Sequence, residues 1–285
     1  MLKKGFLFLL IFTFPMMLYP AGTGSLVIIG GGSRPDYMME KIIALAGGKD
    51  ATIRVIPNAS GVPVESAEYQ VNQFKELGVK DIDYIHLNRE QAATDSAVHL
   101  LENVDGIFFS GGDQSRLTRD FIGTKFLEAI RGVYNRGGVI SGTSAGAAVM
   151  SEVMITGDEN LNEDPDYNFI SIQDGNIVTV QGFGFITEGV IDQHFIKRQR
   201  NNRLISVVLE HPDLLGIGID ESTAIVVAPD RTFEVMGENT VIIYDPQNVK
   251  NIQTDDHHNF AAQNLTMHIL KSGQRYNLKT RKVLR

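Results

Sequence analysis

From Leu26 to Met150 the chain repeats one pattern: a short strand-like run, a glycine or polar turn, then a stretch with helical signals. Strands are expected at residues 26–29, 53–56, 82–87, 107–109 and 139–141. Between them, Pro35 starts a helix that fades at Gly47-Gly48, and residues 65–77 form a second helix stopped by Gly78. Asn88 and Gln91 make a capping box for a third helix reaching about Glu102. Residues 126–135 are helical, and Ser144 opens another helix. Strand–helix alternation specifies a parallel sheet, because each return crossing needs a helix, and strands covered on both faces must be apolar throughout. The expected fold class is α/β, with a mostly parallel central sheet and helices on both faces.

The second half is richer in β signals. Residues 158–166 are acidic, contain Pro165 and read as a loop. Further strands are expected at 177–180, 217–219, 224–227 and 241–244, with a polar loop at 255–259. Gly273 is placed to turn a final hairpin ending near Leu284. No repeat or long linker divides the chain, so residues 25–285 read as one domain with a β-rich C-terminal part.

Composition excludes several functions. The 285-residue chain carries a net charge of −8 and no cysteine. Nucleic-acid binding needs a surplus of lysine and arginine to neutralise phosphates. Without cysteine there is no disulfide, thiol nucleophile, thiolate metal site or lipid-modified cysteine. Lys3 and Lys4 precede an apolar run over residues 6–19, followed by Ala21, Gly22, Gly24 and Ser25. That order describes a secretory signal peptide over residues 1–24. The run falls short of the ~20 residues that span a bilayer. The expectation is a secreted or periplasmic protein with no stable membrane anchor. A homodimer is compatible with the sequence and not required by it.

Gly142-Thr143-Ser144-Ala145-Gly146 has the G-x-S-x-G pattern between an apolar strand and a helix, the setting of a nucleophile elbow. There the serine hydroxyl stands out at the strand end, and the helix N-terminus offers N–H groups to an oxyanion. Ser110-Gly111-Gly112-Asp113-Gln114 ends the preceding strand, and loops after neighbouring parallel strands meet at one edge. A second oxyanion donor is available from Gly111 or Gly112. A serine nucleophile needs a base. Seven histidines are present, and periodicity does not choose among His86, His99, His194, His211, His257, His258 and His268. His257-His258 reads as a solvated loop. Within nine residues of His194 lie Lys197, Arg198, Arg200 and Arg203. They suit carboxylate recognition, and a solvated helix face would equally account for them. Asp220-Glu221 ends a strand, where a carboxylate can orient a histidine.

Taken together, residues 30–32, 110–114, 142–147, Asp192-Gln193-His194-Phe195 with its arginines, and 216–224 resemble the cyanophycinase family of serine peptidases. The resemblance spans about residues 26–244. It implies a fold like the class I glutamine amidotransferases, with relatives among the aspartyl dipeptidases. It implies a triad of Ser144, His194 and Glu221, with Gln114, Asp192, Gln193, Arg198, Arg200 and Arg203 lining the substrate pocket. No cofactor or metal is implied. The implied substrate is cyanophycin, a poly-aspartate carrying arginine on each side chain, cleaved to β-aspartyl-arginine. Two alternatives stay open: a dipeptidase acting on short aspartyl or isoaspartyl peptides, and a catalytically silent peptide-binding protein.

Overall fold

A computed structural model describes residues 23–162 and 169–284. The expected signal peptide, apart from its last two residues, and residues 163–168, which include the end of the acidic stretch, lie outside them. In the first half, β1 (Ser25–Ile29), α1 (Asp36–Ala46), β2 (Thr52–Ile56), α2 (Pro63–Glu76), β3 (Asp81–Tyr84), α3 (Arg89–Ala92) and α4 (Asp95–His99) follow one another. Then come β4 (Gly106–Phe109), α5 (Gln114–Phe121), α6 (Lys125–Asn135), β5 (Val139–Thr143) and α7 (Ala145–Ala148). The second half adds β6 (Val153–Glu159), β7 (Ile177–Gln181), β8 (Gly189–Gln193), α8 (Asn201–Glu210), β9 (Leu215–Ile219), β10 (Thr223–Val227), β11 (Thr232–Gly237) and β12 (Val241–Asp245). It ends with β13 (Lys250–Thr254), β14 (Phe260–Gln263), β15 (Thr266–Leu270), β16 (Arg275–Asn277) and β17 (Lys282–Leu284).

Local chemistry explains several boundaries. α1 follows Pro35 and ends where Gly47 takes φ 114°, a left-handed turn that costs glycine nothing. The Asn88–Gln91 capping box forms, yet the helix it opens lasts one turn. The Thr94 side chain then accepts the N–H of Ala97 and starts α4. The single helix expected to Glu102 is therefore two, because a second capping side chain restarts the helix. Asp113 caps α5, which the sequence reading did not anticipate.

Nine strands form the main sheet in the order β17-β16-β11-β10-β1-β5-β4-β2-β3. Strands β1, β5, β4, β2 and β3 run parallel. The other four pair antiparallel, beginning with β10 on β1. The sheet is thus mixed rather than mostly parallel, since the short turns joining β10 to β11 and β16 to β17 allow only antiparallel pairing. Gly273 does not turn the last hairpin; it lies where the chain leaves β15 for β16, and that hairpin turns between β16 and β17.

A second sheet has the order β15-β12-β9-β8. Its β8 and β9 run parallel with α8 as the crossover. Along β1, Leu26 and Ile28 enter one apolar cluster, with Phe109, Phe121 and Phe183. Val27 and Ile29 enter the other, with Met39, Phe74 and Phe108. Alternation across a strand buried on both faces is what its unbroken apolar sequence requires.

Candidate active site

Three loops lie side by side at the C-terminal edge of the parallel strands, because β5 sits between β1 and β4. They are Gly30–Gly32 after β1, Ser110–Asp113 after β4 and Ser144 after β5. Ser144 has φ 54° and ψ −109°, a sparsely populated conformation for a residue with a Cβ. The elbow is tight: a Cβ on Gly142 would lie 2.5 Å from the carbonyl oxygen of Gly146, and one on Gly146 would lie 2.5 Å from that of Phe109. Both positions therefore admit only glycine while the turn keeps this path.

The second sheet supplies the partners. β8 and β9 end in register, Gln193 beside Ile219, so the residues that follow them emerge together. These are His194 and the pair Asp220-Glu221. Ser144 Oγ lies 2.8 Å from His194 Nε2, and His194 Nδ1 lies 2.7 Å from Glu221 Oε1. Of the other histidines, His99 pairs with Glu102, His268 lies tilted against Tyr276, His86, His257 and His258 are exposed, and His211 follows α8. Periodicity left the seven histidines equal, and tertiary contact separates them.

Burial pushes the His194 imidazole below its ordinary value, and the charges of Arg198 and Arg200 act the same way. The Glu221 hydrogen bond and charge act upward but are outweighed. His194 is only 8% exposed, so desolvation of the imidazolium is a sound physical cause. At neutral pH the ring is therefore neutral. With Nδ1–H donated to the carboxylate, Nε2 is free to accept a proton.

The N–H groups of Gly111 and Ala145 donate to no other described residue. A Cβ on Gly111 would lie 3.4 Å from Ser144 Cβ, which places that loop against the serine. A Cβ on Gly112 would meet the Ala59 carbonyl oxygen at 2.0 Å, so that position is confined to glycine. Gly111 packs against Ser144, and the N–H of Gly112 likewise donates to no described residue.

The structure divides the six expected substrate contacts. Arg203 and Asp192 are each 1% exposed. Arg203 Nε donates to Asp192 Oδ2 at 2.7 Å and its NH2 to Oδ1, a two-point pair with neither charge left over. Phe169 covers the guanidinium at 4.7 Å. Both were expected to face substrate; they face each other, because a buried charge must be paired. Gln114 is also turned inward, its amide donating to the carbonyls of Ile155 and Thr156 at 2.8 and 2.5 Å. Gln193 is buried and its carbonyl accepts from Arg200 at 2.7 Å. Burial and the neighbouring Arg203 bring the Arg200 guanidinium down to about 10. Arg198 is exposed, and its side chain bonds to no other described residue. Among the described residues, no group of three His, Cys, Asp or Glu side chains is placed to hold a metal ion, and no helix is long and apolar enough to cross a membrane.

Comparison with known proteins matches this architecture to peptidases. The model of peptidase family S51 matches residues 26–235. The cyanophycinase of Geminocystis herdmanii is 37% identical over 266 residues, which is 90% of this chain and 94% of that protein. The cyanophycinase of a Nostoc species is 36% identical over 280 residues, 94% of this chain and 90% of its own. A crystal structure of a peptidase from an acI-B1 Actinobacterium shares the fold, with a TM-score of 0.65 and 22% identity, over 90% of this chain and 97% of that one. The chain belongs to peptidase family S51 and is a serine-type peptidase similar to the cyanophycinases.

Proposed function

We propose that this protein hydrolyses cyanophycin to β-aspartyl-arginine dipeptides through a Ser144–His194–Glu221 triad, on a fold of the class I glutamine amidotransferase kind. The observation that carries the reading is the unbroken line from Ser144 Oγ through the imidazole to Glu221 Oε1, at 2.8 and 2.7 Å. Ser144 Oγ attacks the scissile carbonyl carbon while His194 Nε2 takes its proton. Glu221 accepts the Nδ1–H bond and stabilises the imidazolium. The N–H groups of Ala145 and Gly111 hold the oxyanion, each such donor being worth about 2.7–4 kcal/mol. As the C–N bond breaks, His194 returns the proton to the leaving amine. Water, deprotonated by the same Nε2, then attacks the acyl-serine and releases the acid.

The Arg198 side chain has no bonded partner among the described residues, and its guanidinium suits a carboxylate of the substrate. The order of Lys3, Lys4, the apolar run 6–19 and the small residues after it supports export with loss of residues 1–24. N-terminal sequencing of exported protein tests that part, with a start between Ala21 and Leu26 as the expected outcome. The activity is tested by incubating the protein with insoluble cyanophycin and with short aspartyl and isoaspartyl peptides. Release of β-aspartyl-arginine from the polymer is expected. Cleavage of the short peptides alone would make the protein a dipeptidase instead.

A further inference from the structure

Three backbone amides from distant parts of the chain converge on the end of β1 and the turn after it. The carbonyl oxygen of Ile29 accepts the N–H of Ser144 at 3.0 Å, that of Gly30 the N–H of His194 at 2.7 Å, and that of Gly31 the N–H of Ser222 at 2.8 Å. Ser222 directly follows Glu221. Nucleophile, base and the residue fixing the acid thus hang on three successive carbonyls. The three donors share a second property. Their φ angles are 54°, 50° and 51°, and none is a glycine. Such conformations persist where surrounding contacts over-determine them, and the contact common to all three is this segment.

The side chains rest on the same turn. A Cβ on Gly31, whose φ is 110°, would lie 2.3 Å from His194 Cε1 and 2.5 Å from Nε2. A Cβ on Gly32, with φ 70°, would lie 2.8 Å from the Cβ of Glu221 and 3.3 Å from its Oε2. Imidazole and carboxylate are packed against bare backbone, and any side chain at either glycine displaces one of them.

We propose that the end of β1 with the Gly30–Gly32 turn is the positioning element of the triad: the successive carbonyls of Ile29, Gly30 and Gly31 set the backbones of Ser144, His194 and Ser222, and the missing side chains of Gly31 and Gly32 set the places of the imidazole and carboxylate. Gly31 acts through His194 and Gly32 through Glu221; neither supplies a reacting group. The proposal rests on the Ser144–His194–Glu221 reading and extends it to the segment that follows β1.

The test is a pair of double-mutant cycles in the full chain, reading kcat and KM on cyanophycin. Gly31→Ala should lower kcat roughly 100-fold, the scale of a misplacement near 1 Å, with KM nearly unchanged. Gly32→Ala should lower kcat about tenfold and move the acidic limb of the pH profile to lower pH, because Glu221 raises the affinity of His194 for its proton. Over His194→Ala, Gly31→Ala should cost nothing more; over Glu221→Gln, neither should Gly32→Ala. Wild-type kcat in the folded glycine variants, or losses that multiply in the doubles, overturns the proposal. Should Gly31→Ala not fold, Gly32→Ala decides alone, since alanine can adopt the ordinary left-handed φ found there. Activity surviving in His194→Ala would instead overturn the triad reading itself, so the two failures are distinguishable.

Discussion

The two sheets contribute to the site in different ways. The nine-stranded sheet brings Ser144, Gly111 and the Gly30–Gly32 turn together through adjacent parallel strands, β1-β5-β4. The four-stranded sheet brings His194 and Glu221 together at the ends of one parallel pair, β8 and β9. The chain then crosses from one sheet to the other at Glu221-Ser222, between β9 and β10. Each sheet builds its half by the same rule, in which neighbouring parallel strands deliver their following loops to one edge. The halves meet through hydrogen bonds between Ser144 and His194 and between Gly30 and His194. The proposed triad therefore spans the seam between the two sheets.

The sharpest way to break this comparison is to remove one group from each side. Ser144→Ala and His194→Ala should each lower turnover by roughly 10⁶-fold, and the double variant should be no worse than either, because groups acting as one unit are not additive. Circular dichroism should show both folded. A double variant much slower than either single would mean that the two sheets act independently.

Glu221→Gln should cost about 10⁴-fold in kcat, the scale seen when an orienting carboxylate becomes an amide. It should also shift the acidic limb to lower pH, since Glu221 acts upward on His194. In the unaltered protein that limb should lie below the ordinary histidine value of about 6.5, because burial depresses His194. The sign for stability follows: the unfolded chain takes up this proton first, so the contribution is complete above about 6.5 and is lost as the pH falls toward the folded value. A limb above 6.5 in the pH–rate profile would contradict the burial argument.

The arginines offer the finer test, all from the side of the second sheet. Arg203→Ala removes the two-point partner of Asp192, which is 1% exposed, and leaves it only Arg200 at 3.7 Å, so it should destabilise the fold by about 3 kcal/mol in chemical denaturation. Arg198→Ala should leave stability within about 0.5 kcal/mol and raise KM for the acidic polymer roughly tenfold to a hundredfold, the range for a charge-assisted hydrogen bond. The same change should move the acidic limb upward, because Arg198 acts downward on His194. Equal behaviour of the two variants would erase the distinction between a paired internal arginine and a free external one.

Much of the first half was legible in the sequence. Continuous apolar runs identify buried parallel strands, proline and glycine bracket α1, and G-x-S-x-G between strand and helix marks Ser144. These signals are local, since each depends on residues within a few positions of one another. The arginine cluster was legible as a cluster, but not by orientation. Arg198 and Arg203 differ by five positions and by a full change of environment: Arg198 lies in the exposed turn before α8, whereas Arg203 lies inside the helix and reaches Asp192 of β8. The Gly30-Gly31-Gly32 run was visible too, while its partners were not.

What the sequence determined by itself is the alternation of elements, the elbow, and a set of histidines and carboxylates from which a triad could be drawn. Only the tertiary structure decided that His194 meets Ser144 across 50 positions, that Glu221 meets His194 across 27, and that Asp192 and Arg203 are paired inside. It also decided that β10, β11, β16 and β17 extend the first sheet while β12 and β15 join the second. The physical reason is the range of the interactions. Propensity and turn chemistry act between residues close along the chain, whereas sheet order, burial and pairing of charges depend on how strands far apart in sequence register side by side, and that register appears only once the whole chain has packed.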